Sequence, residues 1–93
     1  MTSYTAVRKF WRDAKAEICP DSLVFLKFED CGSFGCMCVP GEEGFDILVS
    51  PSWLYDNSTC EARRMIVHEL LHSVGFEHGP EMNAETYRIL DRI

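Results

Sequence analysis

An α+β architecture is predicted: a small mixed sheet of about three strands packed against an N-terminal helix and a second long helix, with a short C-terminal helix. Three observations predict it. Apolar residues recur at helical spacing at both ends of the chain, period-two apolar runs occupy the middle, and Gly or Pro marks each junction. The 93 residues suit one domain spanning 1–93, since domains commonly hold ~100–150 residues.

Ser3 can cap a first helix from about Tyr4 to Glu17, in which Val7, Phe10, Trp11, Ala14 and Ile18 follow the i, i+3, i+4, i+7 spacing. That stripe should lie on a sheet, and Pro20 ends the helix. Leu23–Phe28 reads as a strand with apolar residues on both faces, which fits a central position. Between Glu29 and Gly44, four glycines, three cysteines and a Pro-Gly pair predict turns around one short strand near Cys36–Val39. Phe45–Ser50 is a further strand stopped by Pro51, and Ser52–Asn57 is a connection. Ser58 and Glu61 then form a capping-box pattern, each side chain serving the other's backbone N–H, at the start of a helix running to about Val74 and ending at Gly75. After Gly79-Pro80, Glu81–Ile93 makes a last helix with Met82, Tyr87, Ile89, Leu90 and Ile93 as its apolar contacts.

Composition excludes several classes. Hydrophobic residues at 46% and charged residues at 26% are the balance of a globular protein. No stretch reaches the ~20 apolar residues that cross a bilayer, and the N-terminus lacks the apolar run of a secretory signal, so a cytoplasmic protein without a membrane partner is expected. Fifteen Asp and Glu against nine Lys and Arg give a net charge of −6, which disfavours nucleic acid as a partner. Arg8, Arg12 and Lys15 on one side of the first helix, and the Arg63-Arg64 pair, read as solvated helix faces. The five cysteines, an odd number, read as reduced thiols, with disulfides the alternative along an export route.

The second long helix carries His68-Glu69-Leu70-Leu71-His72. Histidines four apart project from one face at successive turns, so both imidazoles can reach a single ion ~2.0–2.1 Å away. Glu69 lies about 100° round the helix from His68, near enough to reach a metal-bound water without being a ligand. Val67, Leu70, Leu71 and Val74 back this face with an apolar stripe. Gly75 lets the chain leave the helix sharply, so that His78 can return as a third nitrogen ligand. Three protein ligands with a fourth position for water describe a catalytic zinc site. Five fixed residues at this spacing arise by accident on the order of once in 10⁵ chains of this size.

The eleven residues His68–His78 resemble the zinc signature of the metzincin metallopeptidases, HExxHxxGxxH, at all five fixed positions. The order of elements also resembles the matrixin-like group. The resemblance implies that His68, His72 and His78 bind Zn2+ and that Glu69 is the general base for hydrolysis of a peptide or protein substrate. It also implies that the strand Phe45–Ser50 is the edge with which an extended substrate pairs. Two departures are visible: the chain is much shorter than a family catalytic domain, and Met82 is the sole methionine after His78 to stand under the metal, with core packing its other reading. A second likeness is to small bacterial zinc proteins of ribosomal-RNA maturation, whose HGxLHxxGxDH motif implies a zinc-dependent endoribonuclease. Here Glu69 replaces the Gly of that motif and Glu77 its Asp, which together with the acidic charge favours peptide hydrolysis.

Other candidates are weaker. Cys31, Cys36, Cys38 and Cys60 could hold a second metal, although C-x4-C-x-C is not a common zinc spacing. A thiolate from Cys36-Met37-Cys38 could instead occupy the open zinc position as a latency device. Tyr87 could reach the cleft, and Trp53 and Tyr55 could line it, with packing the alternative for each.

Overall fold

The computed structural model describes residues 2–32 and 35–93, and the turn expected across 33–34 lies outside them. The elements follow in the order α1 (Tyr4–Ile18), β1 (Val24–Phe28), β2 (Cys36–Pro40), β3 (Phe45–Val49), α2 (Pro51–Asp56), α3 (Thr59–Ser73) and α4 (Pro80–Arg92). The expected mixed sheet, N-terminal helix, second long helix and short C-terminal helix are all present.

Helix α1 starts where its cap predicts. Ser3 is extended and its Oγ accepts the Ala6 N–H at 3.1 Å, satisfying one of the four donors a first turn leaves free. Val7, Phe10 and Ala14 form its buried face.

The sheet has the order β1-β3-β2, with β1 parallel and β2 antiparallel to the middle strand. This corrects two expectations. The Leu23–Phe28 segment is an edge and not central, while Phe45–Ser50, expected at the edge, lies in the centre. Its side chains give the reason: Phe25 is 45% exposed and Leu23 54%, whereas Ile47 and Val49 are fully buried. One face, with Val24, Leu26, Phe28, Ile47, Val49 and Cys36, belongs to the core or packs on it. On the other face Lys27 Nζ lies 3.1 Å from the Asp46 carboxylate.

Ser50 and Pro51 do not simply end β3. Pro51 opens α2, a position where its missing N–H is not needed, so the expected connection is a short helix that buries Leu54. The buried Ser50 Oγ accepts the Cys31 N–H at 2.8 Å and ties the preceding loop to this corner.

Helix α3 is the centre of the molecule, packed between α1 and α4 and against β2 and β3. Ala62, Ile66, Val67, Leu70 and Leu71 are buried on it, but Val74, beyond the helix, is exposed and drops out of the expected stripe. Ser58 Oγ accepts the Glu61 N–H at 3.2 Å. The reciprocal half of the capping box is absent, because the Glu61 carboxylate takes Arg64 at 2.7 Å instead. In α4 the buried ridge is Met82, Thr86 and Ile89, at i, i+4 and i+7. Tyr87, expected among the apolar contacts, lies one position off that ridge and is 60% exposed. No helix among the described residues is long and apolar enough to cross a membrane.

One glycine governs the sheet. Gly44 has φ +70°, and a Cβ built there would stand 1.8 Å from the Leu23 carbonyl oxygen, the acceptor of the Phe45 N–H that joins the start of β3 to β1. Gly44→Ala should therefore destabilise the fold by about 1–3 kcal/mol through backbone strain alone, and by more through the clash. A urea midpoint equal to that of the parent would refute this.

Candidate metal centre

Helix periodicity places His68 and His72 on one face of α3, and the chain then reverses. Gly75 takes φ +101°, a left-handed value open to glycine at low cost, while Phe76 N–H donates to Leu71 O at 3.0 Å and closes the helix end. This returns His78 to the helix. The three Nε2 atoms form a small triangle: 3.2 Å from His68 to His72, 3.2 Å from His68 to His78, and 3.0 Å from His72 to His78.

Two nitrogens ~2.0–2.1 Å from one cation at a tetrahedral angle stand about 3.3 Å apart, so the triangle is nearly the size a metal requires. Protonation agrees. His72 Nδ1 lies 2.9 Å from the Phe76 carbonyl, which can only accept, so Nδ1 carries the proton and the neutral ring keeps its Nε2 lone pair facing the other two rings. Burial, then His72, His78 and Arg64, hold the His68 pKa below its ordinary value and favour the neutral, ligating ring. The three histidines together can hold a metal ion, and they are the one such group of His, Cys, Asp and Glu among the described residues.

The cleft beside them, of about 450 Å³, is lined by the three histidines, Glu69, Met65, Phe45 and Cys36–Cys38. Glu69 is only 6% exposed. Burial pushes its carboxyl up to about 7, against the opposing pulls of His78 and of the Cys38 backbone N–H. That N–H is available because β2 is an edge. Ser50 N–H donates to Gly35 O and Gly41 N–H to Gly44 O, so alternation along the antiparallel ladder turns Met37 and Val39 toward β3 and Cys36 and Cys38 outward.

The remaining sequence candidates fall elsewhere. Met82 is buried in the first turn of α4 and belongs to the core, lining none of this cleft. Tyr87, Trp53 and Tyr55 do not line the cleft either. Tyr55 is exposed on α2, and the Trp53 indole lies against Gly35, where a Cβ would come within 2.1 Å of it. All five cysteines are free. Cys36 and Cys38 do line the cleft, with burial first and Glu69 among the lesser causes pushing their thiols up to about 12 and about 11. Neither converges with the histidines, and Cys31, Cys36, Cys38 and Cys60 form no metal group of their own. Sequence reasoning missed Met65 and Phe45. Met65 stands three residues before His68 on the same helix face, a signal that was legible.

Comparison with family models, curated proteins and solved structures finds no match.

Proposed function

We propose that this chain is a zinc-dependent peptidase in which His68, His72 and His78 hold the cation and Glu69 moves the proton. The observation that carries the reading is one buried carboxylate set beside three converging imidazole nitrogens in an open cleft. Three neutral imidazoles suit zinc better than magnesium or calcium, which prefer oxygen ligands. When bound, zinc supplies Lewis acidity toward a carbonyl oxygen and acidifies water.

The chain's own groups do the rest. The Glu69 carboxylate, beside the Cys38 backbone N–H, takes a proton from the attacking water as the new C–O bond forms. The same carboxyl returns that proton to the departing amine nitrogen as the C–N bond breaks, so peptide and water become acid and amine. The outward N–H and C=O of Cys36 and the C=O of Cys38 offer the edge on which an extended substrate can pair. The edge that serves is thus β2, in place of the Phe45–Ser50 strand. Phe45, Met65 and the cysteines give a neighbouring substrate side chain an apolar seat.

Metal analysis of the purified protein, alongside casein digestion with and without a chelator, tests the reading. Stoichiometric zinc and chelator-sensitive cleavage are expected. Zinc without cleavage, accompanied by chelator-sensitive cutting of RNA, would replace it by the nuclease alternative. The same samples carry a stability prediction. Zinc at a thousand times its dissociation constant should add about 4 kcal/mol to unfolding, seen as a higher urea midpoint that a chelator reverses. An unchanged midpoint would show that the histidines bind no metal.

A further inference from the structure

Four of the six arginines have polar partners: Arg64 with Glu61, Arg88 with Glu85, Arg92 with Glu17, and Arg63 with the Ile93 carbonyl. Arg8 and Arg12 have no such partner among the described residues. In a chain of net charge −6 this pairing deficit is local. Both lie on α1, one helical turn apart, and with Trp11 they face Phe25 and Leu26 of β1 across a cleft of about 280 Å³. Arg8 is also held in place, its guanidinium 5.0 Å from the Phe28 ring, on which Tyr4 stacks at 4.3 Å.

The β1 side of this cleft is a strand edge on which no other strand pairs among the described residues. Phe45 N–H donates to Leu23 O, so alternation in the parallel ladder turns Phe25 and Lys27 toward β3 and leaves the N–H and C=O groups of Leu26 and Phe28 facing away from it. Leu23 and Phe25 are exposed beside that edge. Such an edge is a template for another strand unless charge or a covering element blunts it.

From this we infer that β1 and the Arg8–Arg12 pair dock an extended segment of a partner protein whose side chains alternate acidic and apolar. The spacing supports this occupant. Residues one helical turn apart are separated by ~6 Å along α1, and alternate residues of a strand by ~6.6–6.8 Å, so carboxylates two positions apart meet both arginines. The residue between them falls on the opposite sheet face, beside Phe25. A second copy of this chain paired edge to edge would bring Arg8 and Arg12 against their own equivalents, and that like-charge contact opposes it. The surface is separate from the histidine cleft, so the inference does not depend on the peptidase reading.

The test is a titration of the isotope-labelled full chain with a synthetic peptide of alternating Glu and Val, followed by amide and indole resonances. Parallel titrations use a Lys-Val counterpart and an oligouridylate. The expected result is a set of shifts centred on Val24–Phe28 and the Trp11 indole, with affinity reduced about tenfold or more in Arg8→Gln/Arg12→Gln. Arg88→Gln, on α4, should bind like the parent, and the circular dichroism of each variant verifies its fold. Salt should weaken the parent complex, a readout that needs no variant. Shifts elsewhere, equal binding of the Lys-Val peptide, tighter binding of the oligouridylate, self-association at this edge, or no binding would each overturn the inference.

Discussion

Glu69→Gln is expected to lower peptide hydrolysis by ~10²–10⁴-fold, the range a positioned general base supplies, while the protein keeps its full complement of zinc. The substitution preserves shape, so the buried position in the cleft shared with Met65 and Cys38 stays filled. What disappears is the ability to accept a proton and give it back. The three imidazole nitrogens are untouched, because Glu69 is no part of their triangle. Zinc content, circular dichroism and casein turnover should be measured on one preparation. A variant that folds, holds zinc and cuts at the parental rate would remove Glu69 from the mechanism.

Leu70→Ala should have the largest effect on the fold. Leu70 is fully buried on α3, the helix on which α1, α4 and the sheet all pack, so the surroundings have little freedom to collapse into the space left behind. Deletions of this kind cost ~3–5 kcal/mol, a large part of the ~5–14 kcal/mol that a domain of this size holds in total. Urea titration of the metal-free variant should show a midpoint well below that of the metal-free parent, and zinc should raise it. A loss below ~1 kcal/mol would mean that α3 is not the structural centre.

The histidine triangle was legible because helix geometry and one glycine suffice to specify it: His68, His72, Gly75 and His78 are near neighbours in sequence, and their spacing translates directly into position. Strand order was not legible. Leu23–Phe28 and Phe45–Ser50 are both apolar runs, and the alternation that marks a strand says nothing about which strand takes the middle. Phe25 and Leu23 look like core residues in the sequence yet stand exposed, because their burial depends on a layer that the described residues do not place over them. Pro51 was legible as a boundary but not as the first residue of α2, since the same fixed φ serves both. The role of β2 beside Glu69 was hidden for a further reason: it depends on a contact between distant parts of the chain.

That distance separates two events in assembly. The three histidines lie within eleven consecutive residues and come together on helix closure, whereas the β2 and β3 residues that line the cleft beside Glu69 arrive only through pairing between distant parts of the chain, the slower kind of contact to make. On the proposed reading, a cation can be gathered by the closed helix before the surroundings of Glu69 are complete.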